Sequence, residues 1–304
     1  MAVSLVFRIL GLFWKGVRKV ELPVSLVCGL AAVAVMIFGS TKGREKLVVK
    51  EQTLSFKNLP EEFDGYRIVQ LSDFHIGTYG NDTTFVARVV KEVMAQNPDI
   101  IVYTGDLVNS NADETKPFAH TLSSLSAPDG VLSVFGNHDY CYYNHHHQME
   151  EIRRNQEALK AEEREMGWQL LLNENRIIRR DSACIAIVGV ENVGNPPFPH
   201  YGDLPKAMQG VPDSMFVILL SHDPSHWRME VLPKTDIPLV LSGHTHAMQF
   251  RIGRFTPAVF RYPEWGGLYE EEGQQLFIST GVGGSIPFRF GAWPEICVLT
   301  LKCR

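Results

Sequence analysis

Short apolar runs separated by polar, glycine-containing turns recur along the chain from residue 47 to its end. These runs are rich in Val, Ile and Leu and too short for core helices, so they predict buried β-strands. Segments with helical spacing lie between them at 83–97, 118–125 and 148–166. This order predicts a layered α/β fold. The predicted strands are 47–54, 66–71, 99–103, 131–135, 170–172, 176–179, 184–190, 216–220, 239–241, 276–280 and 296–301.

An uncharged apolar run at 22–40 precedes this region. Its length is near the lower end of the range for a bilayer-spanning helix, which favours a membrane anchor. A buried core helix and a cleaved signal peptide are the alternatives, although no clear small-residue cleavage site is present. Residues 3–20 are apolar but carry four basic side chains near one helical face. This pattern fits either a helix in the membrane interface or the tail of another transmembrane helix. The four are Arg8, Lys15, Arg18 and Lys19.

Basic residues lie on both sides of the apolar run, so the positive-inside rule gives no orientation. We expect the protein to be located at a membrane through its N-terminal segment. The charges do not determine which side of the membrane the remainder of the chain faces. This interpretation divides the chain into a membrane-anchoring segment at 1–40, a linker and first strand at 41–55, and a globular domain at 56–304.

The composition is that of a globular protein, with 45% hydrophobic and 21% charged residues among 304. A formal net charge of −5 argues against a nucleic-acid-binding protein, because such proteins usually carry a basic surplus. The five cysteines are widely spaced without a CxxC pair, so neither a disulfide framework nor a zinc knuckle is predicted. Cys28, Cys184 and Cys297 lie in apolar runs and are interpreted as small core residues.

Polar motifs follow five of the predicted strands, and functional loops cluster where strands end in α/β folds. One motif alone is weak evidence, because an Asp after a strand can cap the next helix. Together the motifs supply carboxylates, imidazoles and one amide oxygen, the ligand types that two adjacent divalent cations need. The motifs are Asp73-Phe74-His75, Gly105-Asp106, Gly136-Asn137-His138-Asp139, His222-Asp223 and Gly243-His244-Thr245-His246.

This donor set suits the hydrolysis of a phosphate ester, whose anionic oxygens repel nucleophiles. Two cations would neutralise those oxygens and acidify a bridging water, giving a hydroxide that attacks phosphorus. Asp106 suits a bridging position because a carboxylate has two oxygens, and Asn137 supplies a neutral oxygen. His138 is suited to donate a hydrogen bond to phosphate or a proton to the leaving group. Asp139 is placed either to orient His138 or to serve the structure alone.

Oxygen and nitrogen ligands without a thiolate permit Mn²⁺, Fe or Zn²⁺, among which we favour Mn²⁺. The triplet His145-His146-His147 is interpreted as a polar loop near the site entrance, and His200 and His226 as surface residues. The charges of 148–166 are expected to face solvent.

The complete motif set has the order D-x-H, G-D, G-N-H-[DE], H and G-H-x-H. Across about 66–301 it resembles the calcineurin-like metallophosphoesterase superfamily, and it is most similar to the membrane-associated YkuE-like branch. The resemblance implies an α/β four-layer sandwich of two mixed β-sheets flanked by helices. It also implies a first metal site of Asp73, His75 and His246, a second of Asn137, His222 and His244, Asp106 bridging both, and His138 beside the metals without binding them.

The late segment departs from this family at Ala247-Met248, where many relatives have a glycine pair. We expect the change to affect the pocket wall and not the ligands. Aromatic residues are frequent between 250 and 293. They are interpreted as core or loop packing, with an apolar wall for a lipid tail and Arg289 near a phosphate as the alternative.

The expected function is that of a membrane-tethered dinuclear phosphoesterase acting on a phosphodiester or pyrophosphate bond. The resemblance makes a lipid-linked substrate, such as a glycolipid pyrophosphate, one candidate. A phosphomonoesterase is an alternative that the sequence does not separate. A non-catalytic, metal-stabilised binding domain is the other alternative, although Asp106 and His138, which degenerate scaffolds usually lose, are both present.

Overall fold

The computed structural model describes residues 17–143 and 148–304. The start of the predicted interfacial segment, up to residue 16, and the triplet His145-His146-His147 lie outside the described residues. The strands are β1 (Val48–Phe56), β2 (Arg67–Leu71), β3 (Ile100–Tyr103), β4 (Val131–Ser133), β5 (Gln169–Leu170), β6 (Glu174–Arg180), β7 (Ala183–Gly189), β8 (Phe216–Leu220), β9 (Leu239–Ser242), β10 (Gly267–Glu271), β11 (Gln274–Ile278) and β12 (Glu295–Cys303). The α-helices are α1 (Val17–Ser40), α2 (Thr84–Met94), α3 (Ala119–Leu122), α4 (Met149–Glu165), α5 (Leu204–Ala207) and α6 (Leu232–Lys234).

The strands form two mixed sheets. One has the order β1-β12-β2-β3-β4-β5, in which β2 to β5 run parallel, β12 is antiparallel to β2, and β1 is parallel to β12. The other has the order β10-β11-β9-β8-β7-β6, with β11, β9, β8 and β7 parallel and an antiparallel strand at each edge. Parallel strands are covered on both faces, which explains their unbroken apolar runs.

The sheets pack face to face around a shared core. Ile68 of β2 and Ile218 of β8 point into this core, while their neighbours Val69 and Val217 point to the outer faces. Helices α2 and α4 cover the outer face of the first sheet, and α5 with the π-turn at Trp227–Val231 covers that of the second. Helices therefore flank two mixed sheets, which confirms the predicted four-layer fold class.

Helix α1 projects from this body, and most of its large apolar side chains are exposed. Its apolar part has a mean hydropathy of 2.3 and only 6% of it is buried, so the buried-core alternative is wrong. By length and composition the helix is apolar enough to cross a membrane. Cys28 lies on its exposed surface, which corrects its interpretation as a core residue, whereas Cys297 is buried as expected.

Three further expectations differ from the structure. Strand β10 was not predicted, because it is an edge strand that alternates half-buried and exposed positions and shows no apolar run. His226 is fully buried rather than on the surface, with Nδ1 2.9 Å from Ser221 Oγ and Nε2 3.3 Å from Glu230 Oε2. Glu163 of α4 is also buried, in a hydrogen bond from Ser133, while most other charges of that helix are at least partly exposed.

Candidate metal centre

The predicted ligand motifs meet at one edge of the sandwich. Asp73 and His75 follow β2, Asp106 follows β3 and Asn137 follows β4, all in the first sheet. His222 follows β8, and His244 and His246 follow β9, in the second sheet. Parallel strands present their carboxyl ends at the same edge. Packing the two sheets face to face therefore brings five distant loops together.

Four donors form the first cluster, and their ligand atoms all lie within 4.8 Å of one another. His75 Nε2 lies 3.2 Å from His246 Nε2 and 3.5 Å from Asp106 Oδ2. His246 Nε2 also lies 3.5 Å from Asp73 Oδ1. Two imidazole nitrogens and two carboxylates converging in this way are the mixed N and O donor set of a transition-metal site.

The second cluster consists of Asp106, His222 and His244. His222 Nε2 lies 3.2 Å from Asp106 Oδ2 and 3.2 Å from His244 Nδ1. The carboxylate of Asp106 thus belongs to both clusters.

Asn137 lies on the turn after β4 and is 1% exposed. Its Nδ2 donates to Tyr143 Oη at 2.9 Å, while its Oδ1 is buried without a hydrogen-bond partner among the described residues. Leaving a buried carbonyl oxygen unsatisfied costs about 1–3 kcal/mol. An amide oxygen in this state fits a ligand for a cation.

Hydrogen bonds at the far side of two imidazoles set which nitrogen faces the site. His222 Nδ1 donates to the carbonyl oxygen of Thr104 at 2.7 Å, so Nε2 is the nitrogen that faces Asp106. His244 Nε2 lies 2.7 Å from Tyr262 Oη and 3.6 Å from Asp223 Oδ2, which leaves Nδ1 facing the site. Partners of this kind orient metal-binding histidines.

Five of the seven predicted ligands have left-handed backbone conformations. The φ values are 57° at Asp73, 48° at His75, 62° at Asp106, 73° at His244 and 51° at His246. Non-glycine residues seldom adopt this region, and such strain concentrates at functional sites. Ala247 and Met248 continue in the same conformation, with φ of 48° and 47°, so the glycine pair of many relatives suits this backbone.

The glycines of two motifs allow the loops to approach closely. A Cβ at Gly136 would overlap Asp106 Oδ1 and lie 2.6 Å from the main-chain nitrogen of Asp106. A Cβ at Gly243 would overlap the side chains of Ser72 and Asp73. The G-N-H-D and G-H-T-H motifs therefore need glycine because each turn packs directly against a ligand.

Burial sets the protonation of most of the imidazoles. It lowers the pKa of His75 to about 3 and that of His244 to about 4, and it holds the pKa of His246 well below its usual range. These three rings are therefore neutral near pH 7, and each offers a lone pair. Neutral imidazole is the form that binds metals.

Asp106 and His222 behave differently because they face each other. Burial would raise the pKa of Asp106, but the imidazoles of His222 and His138 outweigh it and hold that pKa well below its usual range. Burial would lower the pKa of His222, but the carboxylate of Asp106 outweighs it and raises the pKa to about 10. The pair is a charge-assisted contact in which a cation would replace the proton.

His138 lies beside the donors. Its main-chain N–H donates to Asp106 Oδ1 at 2.8 Å, and its ring packs edge-on against His75 with centroids 4.7 Å apart. Ring Nδ1 lies 2.6 Å from the carbonyl oxygen of Asn109. Because a carbonyl only accepts, Nδ1 carries the proton, and Nε2 at the other side of the ring is free to exchange one.

The hydrogen bonds of Asp139 go to main-chain N–H groups and not to the ring of His138. Its carboxylate accepts main-chain hydrogen bonds from Asp106, Leu107 and Gly136 at 2.7–2.8 Å. Asn109 holds the ring of His138 instead. The position of Asp139 corresponds to the structural alternative, support of the turns that carry the ligands.

Arg289 is 1% exposed, and its donors pair mainly with main-chain carbonyls, while Nη2 also lies 3.4 Å from His246 Nδ1. Nε donates to Gly283 at 2.7 Å, and Nη2 donates to Thr280 at 2.7 Å. Gly283 in turn donates to the carbonyl of Asp73 at 2.8 Å. These contacts give Arg289 a structural role, stabilisation of the glycine-rich turn behind Asp73, whereas its place near a phosphate stays a prediction.

Three aromatic residues line the site, of which two were not predicted there and the third, Tyr262, belongs to the aromatic segment interpreted as packing or as a pocket wall. Tyr143 packs against the ring of His138 with centroids 4.3 Å apart, Phe198 lies edge-on to His244 at 4.7 Å, and Tyr262 reaches His244. Tyr143 lies close to the G-N-H-D motif, so its position was a usable signal. Phe198 comes from a separate loop without a distinguishing pattern, whereas Tyr262 lies in the aromatic-rich segment 250–293.

Comparison with known proteins agrees with this geometry. Residues 66–248 match the family model of the calcineurin-like phosphoesterases. The chain belongs to this family. Membership, together with the donor clusters, makes the protein a metal-dependent phosphoester hydrolase.

Three relatives are similar to this chain over most of its length. The chain is 30% identical over 269 residues to YkuE of Bacillus subtilis (strain 168), described as an uncharacterized metallophosphoesterase, covering 83% of this chain and 84% of that one. It is 30% identical over 290 residues to the transmembrane protein with metallophosphoesterase domain of Danio rerio, covering 91% and 62%. It is 29% identical over 295 residues to the UDP-2,3-diacylglucosamine pyrophosphatase LpxG of Chlamydia trachomatis, covering 80% and 86%.

Proposed function

We propose that this calcineurin-like phosphoesterase is a membrane-tethered, dinuclear enzyme that hydrolyses a phosphodiester or pyrophosphate bond. The observation that carries the proposal is the place of Asp106 in both donor clusters, with Oδ2 3.5 Å from His75 Nε2 and 3.2 Å from His222 Nε2. A carboxylate between two sets of imidazoles is suited to bridge two cations. The first cation would be held by Asp73, His75, Asp106 and His246, and the second by Asp106, Asn137, His222 and His244.

Two divalent cations bound there would neutralise the phosphoryl oxygens and lower the pKa of a bound water. The protein supplies neutral imidazoles and fixed carboxylates, which limits the surplus negative charge facing the anionic substrate. The mixed oxygen and nitrogen donors permit Mn²⁺, Fe or Zn²⁺, among which we propose Mn²⁺.

His138 is proposed as the group that exchanges a proton with the substrate. The carbonyl of Asn109 fixes the proton on Nδ1, so transfer takes place at Nε2. Packing against Tyr143 and His75 holds the ring in place. General acid catalysis of this kind contributes about 10²–10⁴-fold to the rate.

A lipid-linked substrate is proposed from two observations. Helix α1 is apolar enough to span a membrane and belongs to the same chain as the metal centre. One relative is named as a pyrophosphatase of a diacylated sugar nucleotide, and two relatives are named as transmembrane proteins. An enzyme tethered beside the bilayer reaches lipid-linked phosphoesters at high effective concentration.

Removal and replacement of metal tests the catalytic proposal. The full-length protein in detergent is treated with a chelator, reloaded with Mn²⁺, Fe²⁺ or Zn²⁺, and assayed with a chromogenic phosphodiester and the matching monoester. We expect the diesterase activity to vanish on chelation and to return with metal. Asp106→Ala is expected to lose both metal and activity, and His138→Gln to keep metal but lose about 10²–10⁴-fold in turnover.

His120→Gln, at an exposed histidine, is the matched control and is expected to behave as the parent. Metal binding without turnover would favour the binding-domain alternative, and faster hydrolysis of the monoester would favour a phosphomonoesterase. The lipid-linked substrate is tested separately by comparing a diacylated sugar nucleotide with its unacylated counterpart. Equal kcat/KM for the two would remove the lipid from the proposal.

A further inference from the structure

A group of exposed apolar side chains lies next to the metal loops, and we call it the apolar rim. Phe260 is the most exposed of them at 83%, and the others range from 40% to 63%. Large apolar side chains exposed together mark an interaction surface, because each forgoes about 1.5–3 kcal/mol of burial energy. The rim consists of Met248, Ile252, Phe255, Val259, Phe260 and Ile286.

The rim is joined to the metal centre through the chain itself. It begins two residues after the ligand His246, and its segment ends at Tyr262, whose Oη lies 2.7 Å from His244 Nε2. Thr256 within the segment donates to the carbonyl of Ala247 and so folds the loop back onto the ligand turn. Any surface that covers the rim is therefore adjacent to the metal centre.

The rim is also continuous with the end of α1. Phe38 in the last turn of α1 packs edge-on against Phe290 with centroids 6.2 Å apart, and Phe290 stacks on Phe250 at 5.8 Å. The main-chain N–H of Arg251 donates to the carbonyl of Phe290 at 2.7 Å and leads directly into the rim. These contacts place the last turn of α1 and the rim on one continuous face.

A second set of contacts holds the end of α1 against the segment that contains Phe290. Arg289 donates its main-chain N–H to the carbonyl of Gly39 at 3.0 Å, and a Cβ at Gly39 would overlap the ring of Phe288. Ile286 of the rim lies two residues before Phe288. The last turn of the helix is therefore packed against the domain beside the rim.

The sheet topology explains why α1 arrives at this edge. Strand β1 runs parallel to β12, and β12 runs antiparallel to β2, so β1 begins where β2 ends. The end of β2 is the edge that carries Asp73 and the other ligand loops. The segment after α1 thus enters the fold at the metal edge rather than at the opposite one.

The charges of the rim segment favour its binding to an anionic surface. Residues 247–262 contain Arg251, Arg254 and Arg261 and no acidic residue, in a chain with a net charge of −5. Arg254 and Arg261 are exposed between the apolar side chains. Apolar side chains interleaved with arginine match the interface of a bilayer, where acyl chains meet anionic headgroups.

We propose that the apolar rim inserts into the membrane leaflet in which the C-terminal end of α1 emerges, with its arginines among the headgroups. The metal centre then lies at the level of lipid headgroups. This inference rests on the membrane tether proposed above, and it deepens that proposal, because a lipid-linked phosphoester would reach the metals without leaving the bilayer.

Tryptophan fluorescence tests the insertion without requiring turnover. Phe260→Trp is introduced in the full chain, which is reconstituted into phosphatidylcholine and phosphatidylglycerol vesicles with or without brominated acyl chains. The matched control is Ser182→Trp, at an exposed turn between β6 and β7. Because β7 runs parallel to β8 and β9, this turn lies at the edge opposite the metal loops. The parent protein supplies the signal of the five native tryptophans for subtraction.

We expect the added signal of Phe260→Trp to shift to shorter wavelength in vesicles and to be quenched at least about twofold by brominated lipid, and that of Ser182→Trp to do neither. Phe255→Trp is the second reporter if Phe260→Trp does not fold as the parent does. Equal responses of the rim and control positions would overturn the inference. The inference would also be overturned by a shift to shorter wavelength that depends on protein concentration and occurs without quenching by brominated lipid, because a second copy of the chain would then cover the rim. Loss of hydrolysis with quenching retained would count against the catalytic proposal alone.

Discussion

The carboxylate of Asp139 accepts a hydrogen bond from the main-chain N–H of Asp106 at 2.7 Å, across 33 residues of sequence. The same carboxylate accepts from Gly136 at 2.8 Å, and so joins the turn after β3 to the turn after β4. One turn carries the proposed bridging ligand, and the other carries Asn137. Asp139 therefore holds the two metal-binding loops at a fixed distance, together with the hydrogen bond from the His138 N–H to Asp106 Oδ1.

Replacement of this carboxylate is expected to weaken metal binding. In Asp139→Asn the amide group would place a donor against main-chain N–H groups and leave at least one unpaired, at a cost of about 1–3 kcal/mol in the free energy of unfolding. We expect the apparent metal affinity to fall about 10–100-fold, as for other groups that hold a ligand in place. Titration calorimetry of the metal-free protein measures the affinity, and urea unfolding measures the stability.

Asp129→Asn is the control for this experiment, because Asp129 accepts a hydrogen bond from Tyr66 at 2.7 Å as a half-buried carboxylate outside the metal loops. It is expected to lose stability without a comparable loss of metal affinity. A changed shape of the pH–rate profile in Asp139→Asn, with metal binding intact, would instead give Asp139 a part in proton transfer.

Adding one methyl group at Gly136 is expected to abolish the metal centre. The new Cβ would overlap Asp106 Oδ1 and approach the main-chain nitrogen of the same residue at 2.6 Å. Because main-chain atoms cannot move aside, the carboxylate must leave its position. We expect Gly136→Ala to lose at least about 10²-fold in activity and to bind less metal. Hydrolysis of the chromogenic diester measures the activity, and elemental analysis measures the metal content.

Gly266→Ala is the comparison for this variant. There the added Cβ meets only the methyl group of Thr280, at 2.9 Å, and that side chain can turn away. We expect near-parental metal content and activity. A Gly136→Ala enzyme with two metals per chain would show that the loops are more adaptable than their packing indicates.

Glu163 is expected to make stability depend on pH. Burial raises the pKa of this carboxyl group to about 8, from 4.5 when it is free, so the folded protein retains the proton more tightly than the unfolded chain. The resulting stabilisation is complete below pH 4.5 and is lost as the pH rises toward 8. One pKa unit corresponds to about 1.4 kcal/mol. Unfolding by urea at pH 5 and pH 8 measures the loss.

Glu163→Gln should remove most of this dependence, because the amide stays neutral at both pH values. Glu165→Gln, at an exposed position of the same helix, should retain it. If all three proteins lost the same free energy of unfolding between pH 5 and pH 8, the buried carboxyl group would not be its source.

Several features could be predicted because they are recorded locally in the chain. A parallel strand buried on both faces needs an unbroken apolar run, and the loop after it is the place for functional side chains. The runs ending at Leu71, Tyr103, Leu220 and Leu241 therefore identified both the strands and the motifs that follow them. The uncharged run in α1 was equally clear, since no other helix within residues 17–143 and 148–304 combines that length with that hydropathy.

Other features escaped because no local pattern encodes them. The edge strand β10 is only half-buried, so it lacks the apolar run that would identify it. The buried positions of Glu163 and His226 depend on partners that the fold brings against them, Ser133 in one case and Ser221 with Glu230 in the other.

The amino-acid sequence by itself determined the fold class, the family and the candidate ligands, because strand burial and ligand type are properties of short segments. Only the tertiary structure decided what each polar group contacts, since hydrogen bonds and ion pairs form between segments that are distant along the chain. It assigned Asn109 to His138, Asp139 to the ligand turns and Arg289 to the glycine-rich loop. It also placed the end of α1 beside the metal edge, through the antiparallel pairing of β12 with β2.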